Sequence, residues 1–152
     1  MRLCLLAAAF AGLLSAGVLQ LSTPVDAVTA YYRAMNSADL TTLKRVMDEA
    51  SYDTEMQVYA LSVAFIDPGF RKHLNGYAEH DADRLAVERA VAEKLRQRPK
   101  RSVSNFAVRS LGKERCSIKF LEDGKQRMLY VRKIGGVWKI DYRAGRSIPK
   151  PM

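Results

Sequence analysis

The stretch RCSIKFLEDGKQRMLYVRKIGGVWKIDY, residues 115–142, decides the fold. Its apolar residues recur at every second position, the period of a strand with one buried face, and it contains two turn signals, Asp123-Gly124 and Gly135-Gly136. Such dipeptides accept the positive φ that a two-residue hairpin demands. With Asp123-Gly124 as the first turn, Ile118 falls opposite Leu129 and Cys116 opposite Val131. With Gly135-Gly136 as the second, Val131 falls opposite Ile140, Leu129 opposite Tyr142 and Lys133 opposite Trp138. Both turns place Cys116, Ile118, Phe120, Leu129, Val131, Trp138, Ile140 and Tyr142 on one face. Agreement between two turns assigned independently fixes the register and predicts an antiparallel meander, to which Val103 to Leu111 adds a preceding strand.

The opposite face carries Lys119, Met128, Tyr130, Arg132, Lys139, Asp141 and Arg143, with Arg132 directly across from Lys139. Like charges in register destabilise a sheet, so this pair either splays into water or meets an anion. Tyr130, Arg132, Lys139 and Arg143 are therefore the candidate ligand-binding residues, set against the plainer reading of a solvated face. Tyr130 beside Arg132 also matches the aromatic and basic mixture of nucleic-acid-binding sheets. No second stacking aromatic accompanies it, which disfavours that partner.

Upstream of the strands the period changes to that of helices. Thr23 reads as an N-cap with Pro24 at the first helical position, and Val25, Val28, Tyr32 and Met35 share a face before the helix ends near Asn36-Ser37. Asp39 caps a shorter second helix with Leu40, Leu43, Val46 and Met47 as its stripe. A third helix is expected from about Thr54, through Met56, Tyr59, Ala60, Val63 and Phe65, to the stop at Asp67-Pro68-Gly69. A longer one follows the Asp81 to Asp83 region, with Leu85, Val87, Val91 and Leu95 as apolar positions, and Pro99 halts it.

Outward again, at the start of the chain, nineteen residues from Leu3 to Leu21 carry no charge behind a single Arg2. As a helix the run reaches about 28 Å, close to the ~30 Å hydrocarbon thickness of a bilayer. Residues 1–21 read either as a signal peptide with a small-x-small exit at Ser15-Ala16-Gly17 or as an N-terminal membrane anchor. Either way the only cation lies before the run and the first charge after it is Asp26, so the domain is expected to face the periplasm or the exterior. It would be released there or held at the membrane by residues 3–21. Cys4 precedes the run, whereas a lipidated cysteine follows it.

The remaining length suits one domain, residues 23–146, with a tail at 147–152. Cys116 stands alone in it and reads as a small buried hydrophobe. Charge is uneven: Met1 to Glu93 holds 8 Lys+Arg and 12 Asp+Glu, and Lys94 to Met152 holds 17 and 4, so minus four and plus thirteen make the net plus nine. A basic half of this kind suits an anionic partner, an anionic lipid surface or an acidic protein.

Catalytic motifs are absent: no P-loop, nucleophile elbow, zinc-peptidase helix or paired-cysteine site occurs. His73 and His80 are the only histidines, two turns apart if their helix is continuous across Gly76. His80 with Asp81 and Asp83 has the residue types of a metal cluster, but the spacing matches no specific site and suits a helix N-terminus equally well. No metal and no cofactor are expected.

The aromatic pair Tyr31-Tyr32 in a leading helix, the Asn36-Ser37-Ala38-Asp39-Leu40 link into a second helix, and a meander ending in Gly136-Val137-Trp138-Lys139-Ile140-Asp141 resemble the NTF2-like, cystatin-like α+β superfamily. Within it the chain is most similar to small secreted lumazine-binding-like domains. The resemblance spans about Pro24 to Arg143 and implies helices packed on a four-stranded meander that curls into a cone around a pocket. It also implies a homodimer through the sheet as a partner state. The expected function is an exported, non-enzymatic accessory or binding module of the cell envelope, using a small-ligand pocket or the basic sheet face. The alternative is an isomerase- or hydratase-type enzyme of that superfamily with an Asp/His pair, Asp67 or His73 serving as base.

Overall fold

In the computed structural model, residues 19–144 are described. Five α-helices, α1 (Pro24–Ser37), α2 (Leu40–Val46), α3 (Glu49–Ile66), α4 (Arg71–Gly76) and α5 (Asp81–Gln97), precede four strands, β1 (Val103–Gly112), β2 (Arg115–Glu122), β3 (Lys125–Ile134) and β4 (Val137–Ile140). The strands form one antiparallel sheet in the order β1-β2-β3-β4, so the chain has an α+β fold.

Local chemistry sets the helix ends. Thr23 and Asp26 make a reciprocal capping box, Asp26 N donating to Thr23 Oγ1 at 3.2 Å and Thr23 N to the Asp26 carboxylate at 2.8 Å. This satisfies two of the donors that a helix start leaves orphaned. Ala38 closes α1 in the left-handed conformation, and Asp39 then caps α2 through Thr42 N at 3.0 Å. Asp48 caps α3 through Ser51 N at 2.9 Å, so this helix starts at Glu49 rather than near Thr54.

α4, preceded by a 3-10 turn at Pro68–Phe70, is an element that the sequence pattern did not single out. It ends at Gly76, and His80 is the N-cap of α5, so the two histidines do not share a helix. On α5 the face formed by Val87, Val91 and Leu95 is buried, and Leu85 is turned outward.

The hairpin register matches the pairing read from the sequence: Cys116 opposite Val131, Ile118 opposite Leu129, Val131 opposite Ile140 and Lys133 opposite Trp138. All four turn residues, Asp123, Gly124, Gly135 and Gly136, have positive φ, which matches the right-handed twist of the flanking strands. β4 ends at Ile140, however, so Tyr142 does not pair with Leu129. The chain turns there and sends Tyr142 to α3 instead, its hydroxyl donating to Glu55 Oε2 at 2.6 Å.

α1 lies across the inner face of the sheet, α2 packs on α1 and β4, and α5 packs on α1 and α3. Val28, Leu43, Val46, Met56, Val87 and Val91 meet Ile118, Phe120, Val131 and Ile140 in one core. The Tyr32 and Phe120 rings meet edge to face, 5.5 Å between centroids, a favoured aromatic geometry.

Two segments close the free edge of β4. Leu21 O accepts from Trp138 N at 3.0 Å, and Asp48 N donates to Ile140 O at 2.9 Å beside a parallel bridge between Met47 and Ile140. Leu21, which the sequence reading assigns to the apolar leading run, is a core residue with 6% of its surface exposed, and Leu19 packs against the same core. Leu19 and Leu21, both ahead of the boundary expected at 23, thus pack with the domain. Residues 1–18, with the rest of that run and Cys4, and residues 145–152, with the tail, lie outside the described residues. Among the described residues no helix is long and apolar enough to cross a membrane.

Candidate functional site

The outer face of the sheet is built by the same two turns. The β2–β3 register sets Arg115 opposite Arg132, and the β3–β4 register sets Arg132 opposite Lys139. Three cations thus stand in one row across three strands. Arg109, opposite Ser117, and Lys119, opposite Met128, add positive charge to the same face. At the end of the row the β1–β2 turn folds up Lys113 and Glu114, and β4 runs out into Arg143 and Ala144. Gly112, Lys113, Glu114, Arg115, Arg132, Asp141, Arg143 and Ala144 line an open groove of about 720 Å³.

The electrostatics of this groove rest on Asp141. Grouped with the outer-face polar residues by the alternation, it is 2% exposed. Its Oδ2 stands 2.8 Å from Arg132 Nε, an ion pair outside hydrogen-bond geometry. Its Oδ1 accepts from the Arg143 backbone N–H at 2.9 Å. Arg143 Nη2 in turn donates to Asp48 Oδ2 at 2.6 Å, which ties the groove to the cap of α3. The anion demanded by Arg132 facing Lys139 is thus supplied in part from within the chain.

Of the four residues proposed from the sequence, the structure brings Arg132 and Arg143 together at the groove. Lys139 lies beside Arg132 in the row, and Tyr130 lies two residues back along β3, its carbonyl accepting from Asp141 N at 3.0 Å. The sequence reading missed Arg115 and Lys113. The signal was present, because the turn that pairs Cys116 with Val131 necessarily pairs Arg115 with Arg132.

The described helices fill the inner face: Trp138 is 9% exposed and Ile140 fully buried in the common core. A space of about 40 Å³ lies between α1, α3 and the end of α5, bounded by Tyr31, Tyr32, Tyr59 and Arg98. A half-buried polar cluster borders it: Tyr31 Oη donates to Glu55 Oε1 at 2.9 Å, and Tyr142 donates to the other oxygen. Burial, reinforced by the neighbouring carboxylate, raises both phenol pKa values well above the usual tyrosine range, so both stay protonated as donors.

The remaining titratable clusters join elements to one another. His73 Nδ1 lies 2.6 Å from Asp83 Oδ1, linking α4 to α5. A Cβ on Gly76 would collide with the Asp83 carboxylate, so glycine is what lets that carboxylate approach. Asp53 accepts from Tyr77 Oη at 3.0 Å and from Arg84 Nη2 at 2.6 Å. Burial first, then the Asp53 charge, raises the Tyr77 phenol to about 12 despite the opposing Arg84. Asp67 is exposed and accepts from its own turn through Gly69 N at 3.0 Å, while His73 is paired with Asp83. Asp83 is paired with His73 rather than grouped with His80, and among the described residues no cluster of three metal-ligating side chains occurs.

Comparison of the chain with family models, with curated proteins and with solved structures gave no match.

Proposed function

We propose that this protein is an exported, non-enzymatic binding module of the cell envelope whose cationic sheet face holds an anionic surface, the phosphate-bearing headgroups of lipids. The observation that carries this reading is the row Arg115, Arg132, Lys139 beside an open groove whose acidic lining is Glu114 and Asp141. Planar guanidinium groups suit phosphate oxygens, and each juxtamembrane cation contributes about 1 kcal/mol near an anionic surface. The filled inner face favours this surface over a small-ligand pocket. Pairing of two copies face to face would set these cations against their own kind, which favours the anionic partner over a sheet-to-sheet homodimer. A leading helix laid across a four-stranded meander also supports the proposed kinship with NTF2-like domains.

The test is sedimentation of the chain from Val18 onward, which contains the whole described core, with phosphatidylglycerol vesicles and with neutral phosphatidylcholine vesicles. Binding to the anionic vesicles alone is expected at low salt and should disappear near 1 M, where the screening length shrinks to about 3 Å. Equal binding to both vesicles, or binding that salt does not weaken, refutes the reading.

A further inference from the structure

We propose that two copies of this chain pair through the outward face of α3, the two helices lying antiparallel about a twofold axis near Leu61. The proposal is independent of the lipid reading, because α3 packs on α2, α4 and α5 and shares no residue with the cationic row of the sheet. Of the seven exposed residues of α3 only Glu49 is charged, whereas four of the seven on α5 are, Asp81, Arg89, Glu93 and Arg96. The solvent-facing side of a surface helix is ordinarily its charged side. By that measure α5 is finished in water, and α3 presents an apolar face that no described residue covers.

Spacing identifies the kind of cover this face takes. Thr54, Val58, Leu61 and Phe65 recur at intervals of four, three and four, the alternation by which one helix offers a seam to another. Phe65 is 85% exposed, Val58 58% and Leu61 53%. Beside the seam Leu61, Phe65, Arg71 and Leu74 line a groove of about 240 Å³ between α3 and α4, a hole for an aliphatic knob from a facing helix. A second α3 supplies that helix, since an isologous pair sets a patch against its own copy. Centred on Leu61, the pair puts Val58 of one copy against Phe65 of the other.

Charge selects the order of the two helices. From Asp48 to Glu55 there are four carboxylates and no base. Arg143 and Arg84 answer Asp48 and Asp53, so Glu49 and Glu55 leave this end negative. The stretch from Met56 to Ile66 has no charge, and beyond it Arg71 and Lys72 outweigh Asp67 and leave the other end positive. Parallel helices would set each end against its own sign. Antiparallel ones bring the basic end of each copy to the acidic end of the other and oppose the two helix dipoles. A net charge of +9 resists most other contacts between copies, and the uncharged middle of α3 is where they meet without cation facing cation.

The test is sedimentation velocity of the chain from Val18 onward, which holds the whole described core, at rising concentration. A monomer–dimer equilibrium is expected, with the dimer dominant at roughly 100 μM, the modest affinity of a one-helix seam. The dimer should persist near 1 M salt, where charge is screened and apolar burial is not. A monomer at every concentration overturns the proposal. Phe65→Glu, at a position this exposed, should abolish the dimer and leave the melting temperature within about 2 °C; a dimer that survives it lies on another surface and overturns the proposal. Arg71→Glu with Lys72→Glu should weaken pairing roughly fivefold, and an unchanged affinity refutes the antiparallel order. Under a mild oxidant, a mixture of Val58→Cys and Phe65→Cys chains should link to each other more than either links to itself. Preferential linking of Phe65→Cys to its own kind makes the pair parallel and refutes the order. Two other occupants would show in the same assays. If the chain sediments with neutral phosphatidylcholine vesicles and Phe65→Glu abolishes this, the seam enters a bilayer and the proposal falls. If the cysteine mixture links in the chain from Val18 onward but not in the full chain in detergent, the leading segment covers the seam and pairing of full chains is overturned.

Discussion

The two faces of the sheet come from the same strands and the same two turns, yet they solve opposite problems. On the inner face Cys116, Ile118, Phe120, Val131, Trp138 and Ile140 are buried, and α1 covers them. On the outer face Arg115, Arg132 and Lys139 stand in register, among the described residues no helix is packed on them, and a buried carboxylate, Asp141, pairs with Arg132. The difference teaches that stability and the proposed binding are segregated by residue parity along each strand. Substitutions on one face should therefore move one property and leave the other nearly untouched.

The largest effect is expected inside. Trp138→Ala should destabilise the domain by about 3–5 kcal/mol in a denaturant titration, as large-to-small core substitutions do, while any protein that remains folded still binds anionic vesicles. Next comes the one residue that belongs to both faces. Asp141→Asn removes the negative charge beside Arg132 and Arg143, so stability should fall by about 1–3 kcal/mol and vesicle affinity should rise. Parallel losses in both would break the segregation.

Neutralising two lysines, the exposed Lys113→Gln with the half-buried Lys139→Gln, should cost about 2 kcal/mol of vesicle binding, roughly thirtyfold, with thermal stability shifted by less than ~0.5 kcal/mol. The smallest effect concerns pH. Glu122 is 4% exposed and would be pushed up by burial, but hydrogen bonds from Arg101 at 2.5 Å and Arg127 at 2.8 Å, with Tyr32, hold its pKa below the ordinary 4.5. A carboxylate whose folded pKa is depressed stabilises the fold above its unfolded value, and that contribution is lost as pH falls through the folded one. Glu122→Gln should thus flatten the loss of stability measured below pH 4.5 by about 1 kcal/mol, and an unchanged slope would show that Glu122 does not anchor the β2–β3 end of the sheet.

What could be read in advance follows from how local the information is. The register was legible because a two-residue turn fixes every cross-strand pair that follows from it, Arg115 with Arg132 included. The start of α3 was not, because Asp48 reads as readily as the polar end of α2 as it does as a cap. Six residues with Leu74 as their one large aliphatic side chain gave α4 too little periodicity to detect. The joining of Tyr31, Glu55 and Tyr142 spans up to 111 residues and has no local signature. Leu21 was ambiguous for a different reason, since a leucine beside a membrane segment and a leucine in a core look alike until Trp138 is seen to bind its carbonyl.

The sheet also has two unlike rims. β4 is sealed by Leu21 on one stretch and by Met47 and Asp48 on the next, whereas β1 is the outermost strand on the other side. There the ladder is interrupted between Ser104 and Ala107, where Asn105 takes φ +56°, and Arg109 follows on the outward surface. A broken, charged rim is a poor template for an incoming strand. The consequence is colloidal: among the described residues the sheet has no smooth rim from which to grow into fibrils, even when the protein is concentrated.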